Sequence, residues 1–249
     1  MKLNSLGRDI EMKKVALLLY GQPRFIDNQQ VEDYYKRSII NRYNTDVFGH
    51  CWFKKDVSEF EYSTWSHIKK CPINPNAVEI IKQKYNPVSL AVEEPRSFEL
   101  PPKAKQFIDE RFTGRNGPHW SDKNYSNLMS QFWSIKSVSE QLINSGIDQY
   151  DWIALGRYDS ILVNFPNNLQ QMNNNKFYLP DHHNRFPDMF VFYGPRFIDW
   201  SLNLYNDIED VYGGIWEPSS EAFKMGSFLK RFSRQDLSPC KTDAIAIRE

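Results

Sequence analysis

The chain is poor in cysteine, carries no net charge and has no long apolar run. Its cysteines are Cys51, Cys71 and Cys240, an odd number, and no two share a metal-ligand spacing. A disulfide framework is therefore not expected, and a reducing compartment is. Lys plus Arg total 31 and Asp plus Glu total 31. Without a basic surplus there is no long-range attraction for nucleic acid, so no nucleic-acid partner is expected. The longest apolar stretch, Val15 to Tyr20, falls far below the ~18 residues of a membrane span. The first residues lack the apolar segment of a signal peptide. These absences predict a cytoplasmic protein with no transmembrane segment.

Several common chemistries lack their signatures. No G-x-G-x-x-G follows the first apolar run, and no G-x-x-x-x-G-K-[ST] occurs anywhere. There is also no G-x-S-x-G and no H-E-x-x-H. Dinucleotide oxidoreductases, P-loop enzymes, α/β-hydrolases and zinc peptidases lose support accordingly. A nucleotidyltransferase would carry a Gly-rich loop with a lysine near the first strand, and Gly21-Gln-Pro-Arg24 is not that.

What is present reads as one α/β domain over residues 12–249, preceded by a polar extension, residues 1–11, that ends before a second methionine, Met12. A chain of this length can bury roughly three quarters of the surface its unfolded form exposes. Val15 to Tyr20 is a continuous apolar run, as in a strand buried on both faces. Helix spacing follows at Val31, Tyr34, Tyr35, Ile39, Ile40 and Tyr43, and residues 46–53 read as a second strand. Asn76 is placed to cap a helix running to Tyr85, and residues 88–92 form a third strand. A proline-punctuated segment follows, with one helix over 103–112. A strong helix over 126–145 carries Leu128, Phe132, Ile135, Val138 and Leu142 on one face, with Gly146 as its stop. Tyr150 to Leu155 is another buried strand, and further strands are predicted at 176–180 and 189–193. Helices are predicted over 195–211 and from Pro218 to Arg231. Strands alternating with helices give a Rossmann-like, mostly parallel central sheet flanked by helices. Ligands bind beyond the carboxyl ends of such strands, which points to the loops 20–24, 156–160 and 180–188.

Each of these loops carries residues capable of chemistry. Tyr20, Gly21, Gln22, Pro23 and Arg24 close the first strand. Gly21 lets backbone approach a ligand, and the guanidinium of Arg24 suits a diphosphate; the same residues also make an ordinary tight turn. Asp159, after Arg157, has two readings. It is a ligand for Mg²⁺ or Mn²⁺ shared with substrate phosphates, or it turns the chain with Arg157 as its ion-pair partner. Asp181-His182-His183 is a candidate base or ligand set, or a pair of exposed histidines. Asp188 precedes a buried strand. Glu217 and Glu221 flank the start of the last helix, where acids also favour the helix dipole. Gln131, Trp133 and Lys136 lie off the most apolar stripe of the long helix. Trp120, Trp133 and Trp216 are sugar-stacking candidates in a chain whose aromatics are 15% of residues.

Four of these motifs together carry a resemblance. Gly21-Gln-Pro-Arg24, then Asp46-Val-Phe-x-His50-x-Trp52, then Ser130-Gln-Phe-Trp-Ser134, then Tyr150-Asp-Trp leading to Arg157-x-Asp159, occur in the order found in a group of bacterial and viral glycosyltransferases of the GT-A type. The resemblance covers roughly residues 13–231. It implies a GT-A-like domain, a nucleotide-sugar donor, usually uridine-linked, and a carbohydrate acceptor. It implies that the donor is held against the Tyr20–Arg24 loop; Gln131 on the long helix and Arg157 are the further donor-binding candidates. Asp159 and a later histidine, assigned to His182, would hold Mn²⁺ or Mg²⁺. Glu221 or Asp188 would take the acceptor proton. Arg157 stands where most GT-A enzymes have the first acid of Asp-x-Asp. That departure motivates the alternative of a carbohydrate- or nucleotide-binding module without catalysis.

Overall fold

The first strand lies in the middle of the molecule, because alternate residues of one apolar run face two separate cores. The computed structural model describes residues 13–55, 74–112, 122–180, 186–187, 189–211 and 219–246. In chain order the strands are β1 (Lys14–Gly21), β2 (Asn44–Trp52), β3 (Ser89–Glu93), β4 (Trp152–Arg157), β5 (Ser160–Val163), β6 (Phe177–Pro180), β7 (Phe190–Tyr193), β8 (Leu237–Cys240) and β9 (Asp243–Ala246). The helices are α1 (Gln29–Tyr35), α2 (Ala77–Tyr85), α3 (Pro102–Phe112), α4 (Asp122–Asn144), α5 (Ile198–Asn203), α6 (Ile208–Val211) and α7 (Ser220–Leu229).

The central sheet has the order β3-β2-β1-β4-β7-β6-β8. β2 and β4 flank β1 and both run parallel to it, and β3 runs parallel to β2. β7 is antiparallel to β4 and to β6, and β8 is parallel to β6. The sheet is thus mostly parallel with helices on both faces, as expected from the sequence. Successive residues of a strand point to opposite faces. Ala16, Leu18 and Tyr20 therefore join the core under α4, α5 and α7, while Val15, Leu17 and Leu19 join the core under α1 and α2. The chain winds from β1 outward through β2 to β3, then returns to place β4 on the other side of β1. A doubly wound sheet reverses direction at that point, which is where such sheets take their ligands, and the loops after β1 and β4 flank it.

Several boundaries differ from the sequence reading. The first helix is α-helical only to Tyr35 and widens to a π turn over Lys36–Ile40. Asn76 precedes α2, but its side chain does not cap; the Asn74 side chain instead accepts from the Asn76 N–H at 2.9 Å. The helix expected over 195–211 is broken into a 3₁₀ turn at Pro195–Phe197 and the short helices α5 and α6. At the break Asp207 is buried, where it accepts from Ser227 Oγ at 2.5 Å and Lys230 Nζ at 2.8 Å and pairs with Arg231. α7 starts after Ser219, whose side chain accepts from the Ala222 N–H. Pro218, expected to open that helix, lies outside the described residues, as do Cys71, Trp120 and Trp216. Cys51 and Cys240 are free thiols. Among the described residues no helix is long and apolar enough to cross a membrane.

Candidate functional site

The turn after β1 carries Arg24 back across the sheet. Gly21 has φ +99°, a conformation that side chains with a Cβ rarely adopt. A Cβ built there would meet nothing within 4 Å, so the backbone at the strand end borders open space. The Arg24 N–H then donates to the Gln22 C=O, and the Asn28 N–H to the Phe25 C=O, both at 2.9 Å. Phe25 has φ +53°, an uncommon state for an aromatic residue that clusters at functional loops. Pro23 and Ile26 are buried and anchor the turn. Asn28 closes it by accepting from the Gln30 N–H and capping α1.

β4 meets this turn because Tyr20 pairs with Arg157 in the parallel register. Arg157 donates from Nε to Asp159 Oδ1 and from Nη2 to Asp159 Oδ2, both at 2.8 Å. Arg24 Nη2 reaches the same Oδ2 at 2.6 Å. The Asp159 side chain is 3% exposed and those of both arginines are 19% exposed. Burial alone would raise the Asp159 pKa, but the Arg157 and Arg24 charges outweigh it and hold the carboxyl below the usual range. Asp159 is therefore an anion at neutral pH, held between two guanidinium groups.

The strand end is braced from behind. Tyr35 Oη donates to the Arg157 C=O at 3.1 Å and lies 2.9 Å from Ser160 Oγ, which itself donates to the Arg157 C=O at 2.9 Å. Gly156 makes room for this: a Cβ there would stand 2.3 Å from Tyr35 Oη. Burial pushes the Tyr35 phenol pKa upward, so it stays a neutral donor. From sequence, Tyr35 counted only as an apolar helix position, and its hydroxyl role had no local signal.

On the opposite face, Gln131 of α4 donates to Tyr20 Oη at 3.4 Å and accepts from Ser220 Oγ at 2.9 Å. Gln131 thus ties the end of β1 to the first turn of α7, which carries Glu221. Of the residues named from the sequence, Tyr20 to Arg24, Gln131, Arg157 and Asp159 come together at one strand edge, with Glu221 joined through Ser220. His182, His183, Asp188 and Glu217 lie outside the described residues.

One strand further out, His50 is fully buried and lies 3.2 Å from Glu93 Oε1. Glu93 also accepts from Trp133 Nε1 at 3.0 and 3.2 Å. Arg96 lies over the Trp133 ring at 4.3 Å, and Lys136 flanks the same ring at 5.2 Å. Trp133 is therefore packed against a cation in addition to being half-buried. Burial lowers the His50 pKa to about 4, against the opposing pull of Glu93. Asp46, quoted with His50 and Trp52 in the second motif, sits at the other end of β2. There it accepts from Tyr150 Oη at 2.8 Å and pairs with Lys14 at 3.0 Å, which makes it a structural residue remote from the crevice.

The expected divalent cation does not fit Asp159 as the side chains stand. A carboxylate offers about four lone-pair sites. Three are met by the two guanidinium groups, and the Asp159 backbone N–H also bonds to the carboxylate. A cation would have to displace an arginine and sit beside two positive charges. Among the described residues no three His, Cys, Asp or Glu side chains gather around one point. Of the two readings that the sequence left open for Asp159, the structure has the ion pair with Arg157 and adds Arg24 to it. No protein-family model matches the chain, and no curated protein matches it.

Proposed function

We propose that the chain is a GT-A-like glycosyltransferase that moves a sugar from a nucleotide-sugar, with a UDP-sugar as first candidate, to a carbohydrate acceptor. One observation carries the reading: Arg24 and Arg157 converge on Asp159 at the switch point of a doubly wound sheet, beside open space at Gly21. Sheets of this kind take ligands at that crevice, and paired guanidinium groups suit phosphate oxygens. The donor diphosphate lies over the Gly21–Arg24 turn. Fixed positive charge there opposes the negative charge that grows on the departing nucleoside diphosphate, which is the largest single contribution in many transfer reactions. In this reading Glu221, in the first turn of α7 next to Ser220, takes the proton of the acceptor hydroxyl; Asp188 is the second candidate for that role.

The commitment of Asp159 to arginine favours a second reading, a nucleotide- or carbohydrate-binding module without turnover. Incubation with a panel of UDP-sugars and mixed acceptors, in EDTA and in Mn²⁺, separates the two. Release of UDP supports the transferase. Nucleotide binding with no UDP released under either condition supports the module, and no nucleotide binding at all removes both.

A further inference from the structure

We propose that this site holds a diphosphate through a metal-free guanidinium clamp, in which Asp159 is a positioning residue for Arg24 and Arg157 and not a cation ligand. The proposal rests on the donor-binding reading above and assigns the charge that meets the phosphates to protein side chains.

Four features argue for it. Arg157 is fixed by a two-point fork to Asp159, which sets the plane of its guanidinium group. Arg24 arrives from the neighbouring strand's loop and touches the same oxygen, Oδ2, at 2.6 Å, against 2.8 Å for Arg157 Nη2. The two guanidinium groups therefore stand side by side at the strand edge. The three side chains sum to one positive charge, which attracts an anion and repels a divalent cation. Finally, the strand end three residues before Arg24 borders open space: a Cβ built at Gly21 would meet nothing within 4 Å. A metal in such a site neutralises phosphate charge and fixes geometry. Here two oriented guanidinium groups from adjacent strands supply both.

Isothermal titration of the whole chain with inorganic pyrophosphate, UDP and Mn²⁺ alone tests this. Pyrophosphate is expected to bind in EDTA, and Mn²⁺ to change its Kd less than tenfold. Arg24→Ala and Arg157→Lys are each expected to weaken it about tenfold or more, since hydrogen bonds to charged groups are lost. Asp159→Asn is expected to weaken it likewise, with partial rescue by Asp159→Glu. A purely structural Asp159 would lower Tm and leave the Kd of the folded protein unchanged. If Asp159→Asn does not fold, the arginine variants and the wild-type EDTA titration decide. A tenfold or greater tightening by Mn²⁺, or Mn²⁺ binding alone that Asp159→Asn abolishes, overturns the clamp. UDP-sugar turnover that needs Mn²⁺ sinks the clamp and leaves the transferase standing. Pyrophosphate binding in EDTA without UDP binding does the reverse, and no binding of either probe overturns both.

Discussion

Arg157 and Asp159, two residues apart at the end of β4, hold each other through two parallel hydrogen bonds of 2.8 Å. Arg24, from the loop after β1, reaches the same carboxylate at 2.6 Å and completes the set.

Loss of the Asp159 charge leaves two partly buried guanidinium groups facing each other. Asp159→Asn is expected to cost about 3 kcal/mol, the low end for a broken buried pair because both arginines keep some contact with water. Urea denaturation at pH 7 measures it. The pH sign follows from the lowered pKa: the stabilisation is present above the unfolded value of 3.8 and is lost as pH falls through the lower folded value. The wild-type advantage over Asp159→Asn should therefore shrink only below about pH 4; an advantage that shrinks at pH 6 contradicts the assignment.

His50 gives a different pH window. An unfolded histidine takes up its proton near 6.5, whereas the buried His50 resists until about 4. Between those values the unfolded state binds more protons, so stability falls as pH drops. The loss from this one group is on the order of 3 kcal/mol. Urea midpoints between pH 4 and 7 should fall more steeply for wild type than for His50→Gln. Equal slopes would place the shift elsewhere.

Gly156 and Tyr35 should behave as a coupled pair. Gly156→Ala sets a methyl group 2.3 Å from Tyr35 Oη and 3.0 Å from Phe190 Cδ2, at an expected cost of about 1–3 kcal/mol. Tyr35→Phe alone gives up the hydrogen bond to the Arg157 C=O, about 1 kcal/mol. Combined, they should cost less than their sum by more than about 0.5 kcal/mol, because removing the hydroxyl makes room for the methyl. Strict additivity in chemical denaturation would contradict the contact.

The role proposed for Glu221 as the acceptor's base has its own test. Glu221→Gln should lower UDP-sugar turnover about 10²–10⁴-fold, the usual worth of a positioned base. UDP affinity should stay within about threefold, since the side chain is assigned to the acceptor. A variant with normal turnover would move the role to Asp188.

Much of the frame was legible because buried parallel strands announce themselves. β1 and β4 carry continuous apolar runs, Val15–Tyr20 and Trp152–Leu155, and α4 shows its stripe from Leu128 to Leu142. Arg24 and Asp159 were placed together by a general rule about strand ends, and their 2.6 Å contact agrees with it. The rest depended on distant partners. Nothing near Asp207 in sequence signals that it will be buried against Ser227, Lys230 and Arg231, some twenty residues on. β5, β8 and β9 are four residues each and acquire meaning only by pairing. Whether Asp159 faced a cation or an arginine could not be settled from residue type, because both satisfy a carboxylate equally well.

One short strand bears on when the protein becomes competent. β5 begins at the residue after Asp159, and its partner among the described residues is β9, with Ser160 opposite Ala246 and Val163 opposite Asp243. At about 5–20 residues per second, the ribosome needs roughly 4–17 s to travel from the first of these segments to the second. Over that interval the stretch beside the crevice waits for its partner, so ligand capture on nascent chains should lag behind formation of the β1–β2 half of the sheet.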